Sequence, residues 1–469
     1  MRCRPVINIL PDDILLEIFD FYVIIRAHRR EEIEAWQSLV HVCQRWRRLV
    51  FGSPRRLDLQ LFCATKTQTR MRDTLDIWPA LPLVIGGSDN PEESDNIVAV
   101  LERSDRVCHI TLDFSSSHSE DVWTALQKPF PELTALDLSS SNAVTVVPDS
   151  ILGGSAPHLQ ELWLSGISFP GLPKLLLSTT HLIQLQLNIP PSGYFSLDAI
   201  VAVLPALTSL NLFWLQFQSP QSRPDWARRS PPPMKRSVLP NLSSLRFTGP
   251  SECLEDLVAR IDTPQLLALY ITLFNQIVFD TPHTTQFISR TPALKALKEA
   301  RLTFDNRAAD VRLSSQASRI EQILVRIPCR EFDWQVSSLE QVSTLSSPLL
   351  SVLEDLYIYE QTYSAPDWKD NIENTQWLEL LHPFTTVKNL YLSEKFAQRI
   401  APALQEFVGG RTTKVLPTLQ NLFLEGLQPS GPIHEGIATF VSARQLSGHP
   451  ITVSLWEGAA ARWWRGMLS

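Results

Sequence analysis

The sequence predicts an α/β chain (α+β overall), with a small helical domain at the N-terminus and then an irregular array of strand-plus-helix repeats. Three observations carry this. A Leu-x-x-Leu-x-Leu motif recurs along most of the chain. Apolar residues at helical spacing lie between its copies. Residues 7–50 lack the motif and instead hold apolar residues at helical intervals.

"PELTALDLSS" from Pro131, "PHLQELWLSG" from Pro157 and "PALTSLNLFW" from Pro205 are alike. So are "PNLSSLRFTG" from Pro240, "PQLLALYITL" from Pro264, "PALKALKEAR" from Pro292 and "PTLQNLFLEG" from Pro417. First leucines at Leu133, Leu159, Leu182, Leu207, Leu242 and Leu266 give steps of 26, 23, 25, 35 and 24 residues. A period in the twenties with this motif is the leucine-rich-repeat signature, and it predicts an irregular leucine-rich-repeat solenoid. Leu136 and Leu138 should share one side of a strand, with Asp137 and Ser139 on the other. The segments around Ile200, Val203 and Leu204, around Leu254, Leu257 and Val258, and over 394–408 and 433–446 read as helices. Ser196 is placed to cap the first of them. The prolines end each helix and set the chain extended before the next strand.

The boundaries follow. Residues 1–55 form the helical domain, 56–130 hold weakly registered first repeats, 131–455 form the main array and 456–469 a tail. Loop insertions are expected near 217–240, which is rich in Pro, Ser and Arg, and near 305–348. Asn or Cys is absent from the place three residues past the last leucine, so irregular turns are expected. The tail holds Trp456, Trp463 and Trp464 and reads either as a contact patch or as a cap on the last repeat.

In the N-terminal domain Pro11 suits a first helical turn, and Asp12 and Asp13 favour the positive helix start. Ile14, Leu15, Ile18, Phe19 and Tyr22 then form one apolar face. A second helix is expected from Trp36 through Val50, ended by the residues at 51–54. Such a pair of helices could cap the first repeat. The run "LPDDILLEIF" followed by "WQSLVHVCQRWRRLVFGSP" also resembles the F-box, in the form common in large fungal F-box families that carry leucine-rich repeats. Its most specific parts are Leu10-Pro11, Ile14-Leu15, Ile18 and Val42-Cys43-x-x-Trp46-Arg47. The charged stretch from Arg26 to Ala35 is longer than the family's link between helices.

The resemblance implies a substrate receptor of an SCF-type cullin–RING ubiquitin ligase. The F-box would dock on a Skp-type adaptor, and through it on a cullin scaffold, with Leu10, Pro11, Ile14, Leu15, Ile18 and Phe19 at the contact. The repeats would hold an unknown protein substrate. The alternative is a leucine-rich-repeat interaction scaffold with no coupling to ubiquitination. Strand residues between the leucines would line the solenoid's concave side. Trp163, Asn211, Phe213, Arg246, Tyr270, Tyr357, Tyr391 and Phe423 are the substrate-face candidates, because aromatics and arginine are enriched at binding hot spots.

Composition narrows the rest. A net charge of −7 gives no footprint for nucleic acid or for a polybasic membrane surface. No apolar run approaches a membrane span, and no secretory leader pattern is present. Six scattered cysteines without a CxxC pair suit reduced thiols, hence cytoplasm or nucleus. No phosphate loop, HExxH helix or GxSxG elbow occurs, so no catalytic residue, metal site or cofactor is expected.

Overall fold

The computed structural model describes residues 10–27, 35–54, 57, 59–64, 71–77, 80–90, 92–114, 120–141, 145–191, 197–219, 236–274, 281–315, 321–345, 347–361, 372–405, 415–426 and 435–457 of the 469-residue chain. They fall in two units, Met1–Phe195 and Ser196–Ser469. Ser196, Trp463 and Trp464 lie outside the described residues, as do 28–34 between the first two helices.

The first unit opens with helix α1 (Asp12–Ala27), α2 (Ala35–Val40) and α3 (Gln44–Gly52). The carbonyl of Pro11 accepts the first helical bond, from the Leu15 N–H at 3.1 Å, and both aspartates fall in the first turn. The expected single helix from Trp36 to Val50 is two. His41 and Val42 form a turn and Cys43 is extended, with φ −160°. Arg47 Nε donates to the freed carbonyl of Val40 at 3.0 Å, which stabilises the break. Strand β1 (Leu61–Ala64), α4 (Met71–Ile77), β2 (Leu83–Ser88), α5 (Ser94–Leu101), β3 (Val107–Phe114), α6 (Glu120–Leu126), β4 (Ala135–Ser140), β5 (Glu161–Ser165), α7 (Leu172–Leu176) and β6 (Gln184–Ile189) follow. All six strands pair in chain order and in parallel. In-register leucines such as Leu136, Leu162 and Leu185 are buried.

The second unit contains α8 (Leu197–Val203), β7 (Leu212–Phe217), β8 (Ser237–Val238), β9 (Ser244–Gly249), α9 (Ser251–Arg260), β10 (Ile261–Asp262), β11 (Ala268–Leu273) and α10 (Pro282–Arg290). It continues with β12 (Glu299–Phe304), β13 (Ala308–Ser314), β14 (Ile323–Pro328), α11 (Phe332–Leu345), α12 (Ser347–Leu350), β15 (Asp355–Glu360), α13 (Asn374–Leu381), β16 (Asn389–Leu392), α14 (Glu394–Gln405), β17 (Asn421–Glu425), α15 (Glu435–Leu446) and β18 (Thr452–Trp456). Its main sheet has the order β7-β9-β11-β14-β13-β12-β15-β16-β17-β18. The fold is mixed α/β with sheets dominated by parallel pairing.

The structure corrects three expectations here. First, 305–348 is no loop. It supplies β13, β14 and α11, and β13 runs antiparallel between β12 and β14. Asp305 turns the chain there, accepting the N–H groups of Arg307 at 2.6 Å and Ala308 at 2.7 Å. Second, Phe217 closes β7, Ser237 and Val238 pair with β10, and only 220–235 of the expected 217–240 loop lies outside the described residues. Third, Trp456 ends the last strand and does not begin a tail.

Two repeats are also displaced by three residues. The carbonyl of Thr134, next after Leu133, accepts from the N–H groups of Gln160 and Glu161. Asn211 plays that part for Ser243 and Ser244, and Lys298 for Glu354 and Asp355. The leading leucines are therefore Leu210 and Leu297. Leu182 to Leu210 to Leu242 then gives steps of 28 and 32, more even than 25 and 35. The ambiguity arose because Leu207, Leu210 and Leu212 fit the motif as well as Leu210, Phe213 and Leu215 do.

Candidate functional site

Two surfaces are built by these elements. The first lies on the N-terminal helices. Phe19 packs against Trp46 at a tilt with ring centroids 4.7 Å apart, and Leu15, Leu16, Trp36, Leu39, Val40 and Val50 are buried with Phe19. Arg45 closes the open end, donating to the Leu10 carbonyl at 2.6 Å and pairing with Asp12 at 2.5 Å. The indole N–H of Trp36 reaches the Gln60 carbonyl at 2.9 Å and ties the helices to the chain leading into β1.

This packing splits the apolar residues of α1 in two. Leu15 and Phe19 are fully buried, which corrects their assignment as contact residues, because their side chains are already spent on the core. Ile14 and Ile18 are 46% and 43% exposed, and Phe21, which the sequence reading missed, is 68% exposed. They stand at i, i+4 and i+7, on one side of the helix. Val42, in the turn before α3, is 58% exposed. Pro11 is exposed and Leu10 half-buried. The seven-residue step from Ile14 was the signal for Phe21.

The second surface is the sheet of the second unit. Along β9, for example, Leu245 and Phe247 are buried while Ser244, Arg246 and Thr248 are half-buried. The half-buried side chains form an open face. Register brings Trp214, Arg246 and Tyr270 side by side on it. The Arg246 guanidinium carbon lies 5.5 Å from the Trp214 ring and 5.1 Å from the Tyr270 ring. Further along, Tyr357 stacks on Tyr391 at 4.0 Å, and Tyr391 on Phe423 at 4.4 Å, with the ring planes nearly parallel. The Trp456 ring sets its edge against Tyr391 at 5.9 Å and also approaches Tyr357 and Tyr359.

Between these groups lies a charged cluster. Arg312 pairs with Asp310 at 2.8 Å and with Glu321 at 2.7 Å. Arg326 pairs with Asp305 at 3.1 Å and Asp310 at 3.2 Å, and Arg301 with Glu299 at 2.5 Å. Burial would lower the Arg312 guanidinium, but its bonds to Asp310 and Glu321 outweigh that and raise it above its ordinary value. These cations are committed to internal partners.

The substrate-face candidates thus separate. Arg246 and Tyr270 belong to the clamp; Tyr391 and Phe423 are half-buried in the ladder. Tyr357 is only 5% exposed, enclosed by Tyr391, Trp456 and Arg301, and offers no contact surface. Phe213 is fully buried, and Asn211 lies before β7 with its amide donating to the Asn241 carbonyl. Both were misplaced by the three-residue shift, and Trp214 takes the face position instead. Trp163 is half-buried on the sheet of the first unit, its indole N–H buried without an acceptor among the described residues.

Among the described residues no cluster of three or more His, Cys, Asp or Glu could hold a metal ion, and no helix is long and apolar enough to cross a membrane. No family model matches the chain, and no curated protein matches its sequence.

Proposed function

We propose that this chain is the substrate-recognition subunit of an SCF-type cullin–RING ubiquitin ligase. Its three N-terminal helices act as an F-box on a Skp-type adaptor, and through the adaptor on a cullin scaffold. The repeats, stacked as an irregular leucine-rich-repeat solenoid, hold the protein substrate. The observation that carries this reading is the solvent-facing row Ile14, Ile18 and Phe21 on a helix whose opposite side is already packed. A helix serving only as a cap would turn its apolar residues inward. Covering each such side chain is worth about 1.5–3 kcal/mol.

The test is co-precipitation with a purified Skp-type adaptor. Ile14→Asp together with Ile18→Asp should lower adaptor recovery at least about tenfold. The melting temperature should hold, because neither side chain is in the core. Undiminished recovery would overturn the reading. One observation favours the scaffold alternative: the bond from Trp36 to Gln60 joins the helices to the repeats as a terminal cap would be joined. On that alternative wild-type protein recovers no adaptor.

A further inference from the structure

We propose that Arg246, clamped between Trp214 and Tyr270, is an anion-recognition subsite that receives an acidic side chain of a bound peptide. The proposal rests on reading the repeats as the part that holds a protein partner.

Most arginines on this face are already neutralised by carboxylates. Arg301, Arg312 and Arg326 each meet at least one carboxylate within 3.2 Å. Arg246 meets none among the described residues, and its Nε is buried without a hydrogen-bond partner. The register explains why. The positions flanking the clamp on β7, β9 and β11 are Leu212, Gln216, Ser244, Thr248, Ala268 and Thr272. None is a carboxylate.

The two rings hold the guanidinium in place through the negative faces of their π-systems. They orient it and exclude water, but they neutralise no charge and accept no strong N–H bond. A planar fork held in this way matches a carboxylate bidentately. No flanking position supplies the missing charge, which leaves the fork open to an incoming carboxylate. Ser244, Thr248 and Thr272 are half-buried and offer hydroxyls to the backbone of such a peptide. An Asp or Glu side chain is the occupant this arrangement fits. A phosphorylated side chain would present the same chemistry, and the experiment separates the two.

The full chain is used to select from a phage-displayed random dodecapeptide library. The enriched sequences should share an Asp or Glu at one position. A synthetic peptide from that set should bind at least about tenfold more weakly to Arg246→Met, and likewise when its acid is replaced by the amide. Arg246→Lys keeps charge and bulk but loses the fork, and should bind severalfold more weakly while melting as wild type does. Phosphoserine in place of the acid identifies phosphate as the preferred source if it binds more tightly, and carboxylate if it binds less tightly. The proposal is overturned by no enrichment, by enrichment without an acidic residue, or by undiminished affinity in both Arg246 variants. Adaptor recovery should be unchanged in Arg246→Lys. Failure of wild-type protein to bind adaptor would sink the ligase reading and leave the peptide result standing.

Discussion

At the scale of single residues, two arginines, Arg444 buried and Arg290 half-buried, satisfy turn carbonyls that no regular ladder reaches. Arg444 is fully buried and places Nη2 at 3.4, 3.2 and 3.3 Å from the carbonyls of Leu416, Pro417 and Leu419. Leu416 there adopts a left-handed φ of 49°. Arg290 does the same for the carbonyls of Val258 and Ile261, at 2.6 and 2.7 Å. Buried backbone carbonyls need such partners wherever no regular ladder forms. Arg444→Met should therefore cost about 3 kcal/mol, read as a lower urea midpoint, because several acceptors lose their donor at once. A midpoint equal to that of wild type would show that water replaces the guanidinium. The irregular turns were expected from the missing Asn and Cys positions. Nothing in the sequence marked Arg444 or Arg290 as the remedy, since exposed and buried arginines look alike there.

At the scale of elements, neighbouring repeats are joined by short polar ladders. Thr386 and Thr418 each donate to two carbonyls of the preceding turn, at 2.7 and 2.9 Å and at 3.1 and 3.0 Å. Asn421 donates to Asn389, and Asn389 to Asp355, both at 2.8 Å, across β17, β16 and β15. Helices α14 and α15 meet more closely than side chains allow. A Cβ added at Gly436 would lie 2.7 Å from the Ala401 carbonyl oxygen, which is backbone and cannot swing away. Gly436→Ala should thus cost about 1–3 kcal/mol through forced separation of the two helices. A thermal unfolding scan checks it, and an unchanged midpoint would mean that the pair slides freely. The helices themselves were legible from their spacing. The antiparallel β13 was not, because a Leu-x-x-Leu-x-Leu search registers only parallel, motif-bearing strands, and 308–314 carries no such copy.

At the scale of the whole molecule, each unit carries its own core, and the cysteines report on both. Cys43 is exposed, whereas Cys63 in the first unit and Cys253 and Cys329 in the second are buried. Burial also pushes the Cys329 thiol up to about 11, so little thiolate exists there at pH 8. Iodoacetamide at pH 8 should label Cys43 in the native protein. It should reach Cys63, Cys253 and Cys329 only as urea unfolds the unit that holds each. Labelling of Cys253 before the unfolding transition would contradict the packing described here.

The sequence by itself determined the strand-plus-helix repeat, because leucine periodicity and proline placement are local properties of the chain. It also determined that the N-terminal segment is a set of apolar helices. Only the tertiary structure decided which side of α1 is free, because Leu15 and Ile14 are adjacent and equally apolar, and Trp46 selects Phe19 across the chain. It also decided which face residues remain open. Tyr357 and Tyr391 read alike in sequence, yet only Tyr357 is closed in, with Arg301 on one side and Tyr391 on the other, and register sets Arg246 among flanking positions that hold no carboxylate. Register is a property of strands brought together, and no single strand carries it.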